Sequence, residues 1–180
     1  MPNAIRGRQV QMAALGLVFG MLMVATGAVP ALAASTSFKA TYPDEKTTFR
    51  NCPPGFPKNA ICFTGVGHGP IVLGTTTTTG TEEDYAGFVD PTTPGPIAGC
   101  PADHNAVSIR TSSGTLFLTT SGSACGAFDD GTWQAFGGTG MFEGASGGGL
   151  VHTTVDLVPN ADGTLNSSST YTGTLNLQSD

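Results

Sequence analysis

The chain has 180 residues, 39% of them hydrophobic and only 11% charged, with 26 glycines, 12 prolines and 4 cysteines. That length is one domain's worth, and so low a charge density excludes a charged disordered tail or a coiled coil. A net charge of −6 excludes a nucleic-acid binder, which needs a basic face, and glycine without a three-residue period excludes collagen.

Residues 1–33 read as a signal peptide. Arg6 and Arg8 form a positive start, residues 12–29 carry no charge, and Pro30 precedes Ala31-Leu32-Ala33, a small-x-small cleavage site. The apolar run is just long enough to span a bilayer. Gly16, Gly20 and Gly27 interrupt it, however, and Pro30 ends it. No cysteine follows the site, which argues against a lipid anchor, and the short positive start is of bacterial type. The expected product is secreted and makes no membrane contact after cleavage. It keeps five basic residues (Lys39, Lys46, Arg50, Lys58, Arg110) against thirteen acids, a net charge of −8.

Residues 34–59 read as an N-terminal strand followed by a Pro/Cys-rich loop, and residues 60–180 as a β-barrel domain. The stretches 42–58 and 90–103 are rich in proline and glycine. Proline lacks an amide donor and fixes φ, so both are expected to be surface loops. Eight β-rich runs are predicted, at 35–41, 60–67, 70–79, 106–111, 115–120, 131–137, 149–158 and 168–177. Thr, Val, Ile, Leu and Phe dominate them, as suits a half-buried pleated surface. In the last run Tyr171, Gly173, Leu175 and Leu177 share one face. Ser112-Ser113-Gly114 and Asn160-Ala161-Asp162-Gly163 read as turns. Eight short antiparallel strands either stack as a sandwich or close as a barrel. Gly65, Gly67 and Gly69 favour the barrel, where glycine permits bending and coiling.

All four cysteines, Cys52, Cys62, Cys100 and Cys125, lie in the exported part. An even number in an oxidising compartment reads as two disulfides. Their spacing is not that of a zinc site, and no base flanks any of them to activate a thiol. Four cysteines permit three pairings, and sequence alone does not choose. We read Cys52–Cys62 and Cys100–Cys125, because each pair brackets a loop-rich stretch. No metal ligand set is read: Glu82-Glu83-Asp84 and Asp129-Asp130 lack the alternation of a calcium loop and are expected in solvated loops.

The segment from Gly137 to Gly149 has glycines suggestive of a phosphate loop, and Gly144-Ala145-Ser146-Gly147-Gly148 formally fits G-x-S-x-G. Both chemistries need a helix to follow, and a Val/Thr-rich strand follows instead. His152 shares a strand face with Leu150, Thr154 and Asp156, where it serves as a lumen acid or base or as hydrogen-bonded structure. Trp133 reads as core. Asn166-Ser167-Ser168 is a formal glycosylation acceptor.

Gly137-Gly138-Thr139-Gly140-Met141-Phe142-Glu143-Gly144-Ala145-Ser146-Gly147 resembles the G-G-T-G-R-F-x-G-A-x-G signature of the allene oxide cyclase-like barrel superfamily, which includes the plant dirigent proteins. The residues from Phe63 to Gly69, Leu73-Gly74, and Tyr171-Thr172-Gly173-Thr174-Leu175 are similar to other parts of secreted bacterial members. The resemblance implies an eight-stranded antiparallel barrel with an apolar lumen, a small apolar ligand, no cofactor, and in some members dimers or trimers. Met141 stands where the signature has Arg, so any ion pair anchored there is absent.

Independently of the resemblance, the glycines of this segment allow a tight reversal at a barrel end, with Phe142 plugging the interior. Three functions fit: binding a small apolar ligand, a packed structural role, or a cofactor-free isomerase or cyclase. Binding needs a cavity on the order of 300 Å3, for which Phe142 and Trp133 are the candidate lining residues. Catalysis needs a titratable group in an apolar pocket, for which His152, Asp156, His68 and Glu143 are the candidates. The sequence shows no convergent acid/base pair and so favours binding or a structural role.

Overall fold

The computed structural model describes residues 34–178, and the leader expected over 1–33 lies outside the described residues. Eight strands follow in order: β1 (Ala34–Arg50), β2 (Ile61–Leu73), β3 (Thr76–Pro94), β4 (Pro101–Thr111), β5 (Gly114–Ala124), β6 (Phe128–Gly138), β7 (Ser146–Val155) and β8 (Leu165–Leu177), with one turn of 3-10 helix at Gly140–Phe142. Each strand pairs antiparallel with the next, and β8 pairs with β1 from Ala34↔Leu177 to Thr47↔Leu165. The sheet is thus a closed barrel. The sandwich alternative is excluded by the β1–β8 ladder, and closure leaves no edge.

Eight runs were expected and eight strands are present, but they divide the chain differently. The expected runs 60–67 and 70–79 both contribute to β2, whose turn into β3 lies at Gly74 with φ +58°. The body of β3, residues 80–90, was not among the expected runs. Neither proline-rich stretch is wholly loop: β1 continues to Arg50, β3 to Pro94, and β4 starts at Pro101. Pro43 and Asp44 lie where the register of β1 slips against β8 between Tyr42 and Glu45, and against β2 between Ala40 and Lys46. A bulge tolerates the missing amide. Pro94 and Pro101 face each other at the last rung of β3–β4. The barrel therefore begins at Ala34, with residues 34–50 as one of its staves.

The turns at 74–75 and 112–113 and the loop at 139–145 gather at one end, and the longer loops at 51–60, 95–100, 125–127 and 156–164 gather at the other. The short-turn end is packed solid by Phe38, Ile71, Ile109, Leu116, Leu118, Trp133 and Leu175, all buried. Phe38 meets Trp133 edge to face at 5.1 Å. Phe142 closes this end from below and is wholly buried. Its turn uses Gly140 at φ +59° and Gly144 at φ +64°, backbone that L side chains rarely adopt. The expected plug is therefore present.

Both disulfides sit at the long-loop end. Cys52–Cys62 spans the β1–β2 loop, and Cys100–Cys125 ties the β3–β4 loop to the β5–β6 loop, each with Cα atoms 5.1 Å apart. These are the two pairings expected. The Ile97 amide also donates to Ser123 Oγ at 2.9 Å, holding the same loop down.

Phe142→Ala is expected to lower unfolding free energy by about 3–5 kcal/mol, as for a large aromatic removed from a packed core. A chemical-denaturation midpoint equal to that of the wild type would show that Phe142 does not carry the plug.

Candidate functional site

Alternation along a strand sends every second side chain into the lumen. At the long-loop end those inward positions are largely polar. β1 contributes Tyr42 and then, beyond the bulge, Glu45 and Thr47. β3 contributes Glu82 and Asp84, β4 Asp103 and Asn105, β5 Thr120, β6 Asp129, and β8 Ser167, Ser169 and Tyr171. Glu83 points the other way and pairs with Arg110 on the outer surface at 3.2 Å. The acids at 82–84 and Asp129 were expected in solvated loops. Instead Glu82 is fully buried and Asp84 nearly so, while Asp129 lines the lumen. The i, i+2 spacing within Glu82-Glu83-Asp84 was the available signal: a strand buries two of its acids and exposes the middle one.

The cavity enclosed there has a volume of about 140 Å3. Its inner wall is formed by Glu45, Asp84, Asp103, Asn105, Thr120 and Asp129, and no Lys, Arg or His lines it. Phe49, Phe63, Val89, Phe128, Val155 and Leu157 form an apolar approach to it. Gly65 makes room for the acids, since a Cβ there would lie 2.9 Å from Asp84 Oδ2 and would collide with Glu45 Oε1.

The carboxyls are arranged to share protons. Glu45 and Asp84 hydrogen-bond to one another, as do Asp103 and Asp129. Ser169 Oγ donates to Glu45 Oε2 at 2.5 Å, Asn105 Nδ2 donates to Asp103 Oδ2 at 3.1 Å, and the Tyr171 hydroxyl donates to Glu82 Oε1. Burial pushes Glu82 well above the ordinary carboxylate range, and the charges of Asp84 and Glu45 push it further. Burial likewise holds Asp84 and Asp103 well up, reinforced by Glu45 and Asp129 respectively. Glu45 and Asp129 are also raised by burial, but each is drawn back by its hydrogen bonds. In each pair one carboxyl keeps the proton and its partner accepts it, the response expected of like charges forced together in a poor solvent.

The six residues singled out from sequence lie elsewhere. His68 and His152 are on the outer face, the first hydrogen-bonded to Thr81 Oγ1 at 2.9 Å and the second to Asp130 Oδ1 at 2.6 Å. Asp156 is exposed and accepts the Val158 amide at 3.0 Å. Glu143 is exposed in the opposite loop. Trp133 and Phe142 are buried in the packed end, where Trp133 Nε1 donates to the Thr172 carbonyl at 3.0 Å. None of the six lines the cavity. The strand face holding Leu150, His152 and Thr154 is the outer one, because Val151 and Thr153 take the lumen.

Stability should fall as pH rises. A carboxyl whose folded-state value is raised contributes stability that is fully present below the ordinary carboxylate range and is lost as pH rises through the raised value. Each proton released costs up to about 1.4 kcal/mol per pH unit. Thermal melts between about pH 5 and 8 should show Tm dropping, and Glu82→Gln, which keeps an acceptor for Tyr171, should flatten the drop and raise Tm at the upper end. A Tm that climbs with pH would contradict the buried, protonated cluster.

No family model matches the chain, and no curated protein matches it. Among solved structures the chain is similar to the pterocarpan synthase dirigent protein PsPTS1, at 12% identity over 83% of this chain and 99% of that chain, with a TM-score of 0.44. It is also similar to the pterocarpan synthase dirigent protein GePTS1, at 13% identity over 80% of this chain and 88% of that chain, with a TM-score of 0.39. Both belong to the dirigent kind of eight-stranded barrel, the kind that the Gly137–Gly147 segment resembles.

Proposed function

We propose that this protein is an exported barrel that binds a small, mainly apolar molecule through its long-loop end. The observation that carries this reading is the gradient along the lumen: an apolar approach, then an enclosed cavity of about 140 Å3 whose polar wall retains unpartnered atoms. Such atoms are costly when nothing meets them. The cavity is smaller than the 300 Å3 expected for a whole ligand; it is close to the roughly 150 Å3 that accommodates benzene. One ring-sized group is engulfed, and the remainder of the guest rests against Phe49, Phe128 and Leu157. Two disulfides fit an oxidising compartment, and the leader-like start supports export.

A second reading, a cofactor-free isomerase or cyclase acting on the same guest, is favoured by the carboxyl pairs. A protonated acid beside an ionised one provides a proton donor and acceptor within a single cavity. The sequence showed no such convergence, because its members come from four strands.

Titration with benzyl alcohol, followed by amide chemical shifts, tests the binding reading. Shifts should concentrate at Thr120, Gly122, Gly131 and Val151 on the cavity wall. Val155→Trp, which blocks the approach without touching an acid, should weaken binding at least about tenfold. Shifts confined to the outer face, or an undiminished response in the tryptophan variant, would overturn it.

A further inference from the structure

The hydrogen-bonding groups left over in the cavity specify what a guest must bring, and this step rests on the binding reading above. Six buried side-chain atoms among the described residues lack a partner, and four of them belong to cavity-lining residues: Asp84 Oδ1, Asp103 Oδ1, Asn105 Oδ1 and Thr120 Oγ1. Three of these four are oxygens of carboxyl or amide groups. The Asn105 amide is oriented by its donation to Asp103, so its carbonyl oxygen is the atom left free. Thr120 is outside the acid cluster, on β5, yet it too is buried with its hydroxyl unmet. What the cavity lacks is donors.

We propose that the guest is an organic cation, with a primary or secondary ammonium on a ring-sized apolar body, entering ammonium first. An –NH3+ group brings three donors and no acceptor, matching a wall of three acceptor oxygens and one hydroxyl. An alcohol brings one donor. A carboxylate brings only acceptors and a like charge, so fatty-acid anions are rejected. The protein supplies no competing cation, since no basic side chain lines the cavity.

Entry of the cation changes the proton count. The titratable groups facing the site are Tyr42 and Glu45 from β1, Glu82 and Asp84 from β3, Asp103 from β4, Asp129 from β6 and Tyr171 from β8. β2, β5 and β7 contribute none. With no cation inside, like charges are avoided by holding protons. An incoming ammonium pairs with a carboxylate, and one proton leaves an Asp84–Glu45 or Asp103–Asp129 pair for solvent. No bond to carbon forms or breaks.

Calorimetric titration of the secreted, disulfide-bonded protein at neutral pH tests this with three probes sharing one body: benzylamine, benzyl alcohol and sodium benzoate. Running each in phosphate and in Tris, whose ionisation enthalpies differ, counts protons. Benzylamine is expected to bind at least about tenfold more tightly than benzyl alcohol, with net proton release, while benzoate fails to bind. Asp103→Asn should weaken benzylamine and spare benzyl alcohol. Asp130→Asn, the same change of charge on the outer face, should leave both unchanged. Benzyl alcohol binding as tightly as benzylamine, or benzylamine binding without proton release, overturns the cation assignment and leaves the binding reading intact. Benzoate binding most tightly overturns it as well. If none of the three binds, the binding reading fails and this inference fails with it.

Discussion

Closing a sheet on itself fixes where alternate side chains go. In an open sheet a polar residue on the wrong face can meet water. In this barrel β8 returns to β1, and every inward residue must find its partners inside. The register bulges therefore decide the chemistry of the lumen. Along β1 the inward positions are Phe38, Ala40 and Tyr42, and after the slip at Pro43–Asp44 they become Glu45 and Thr47. Without that slip Asp44 and Lys46 would face inward and Glu45 would face solvent. A second slip, between Asp84 and Ala86 against β4, turns Tyr85 outward after Glu82 and Asp84 have been buried.

The two ends of the barrel have different structural supports. The packed end holds itself together by apolar burial, and its turns are short. The other end carries buried carboxyls, which are unfavourable in a poor solvent even when they share protons, and its loops are long. Both disulfides lie there, as does the Ser123 contact to the 95–100 loop. A crosslink that restricts the unfolded chain stabilises by about 2–4 kcal/mol. Stability is supplied where the acids remove it, so the cavity keeps its shape without a filled core.

Much of the architecture was legible because it rests on local chemistry. Turn residues around Gly114 and Gly163, alternation from Tyr171 to Leu177, and a glycine-rich reversal carrying Phe142 each act within a few residues of chain. The cysteine pairs bracket the loops they close. The site was not legible for the opposite reason. Glu45, Asp84, Asp103 and Asp129 are far apart in the chain and converge only once four strands have taken their registers. A run such as Glu82-Glu83-Asp84 looks solvated when judged by charge, although strand alternation would bury its outer two members. Pro43 hid the continuation of β1, because a proline reads as an end unless the bulge that accommodates it is known. His152 was assigned to a face correctly, but which face looks inward depends on pairing that no single strand reveals.

The boundary between the two halves of the lumen is made by tyrosine. Tyr42 and Tyr171 belong to the apolar core by their rings, whose centroids are 6.2 Å apart, edge to face. The Tyr171 hydroxyl is directed at the acids and donates to Glu82. Burial and the carboxylates hold both phenols well above their ordinary range, so they stay neutral donors and never add a charge of their own. A phenylalanine layer would bring apolar surface against Glu82 with no donor for it; a serine layer would leave the floor unfilled. An amphipathic ring satisfies both neighbours at once. It also sets the electrostatics of the cavity. Because the floor beneath the acids is dry and tightly packed, their charges are poorly screened from below, and the open mouth is the direction from which compensation can come.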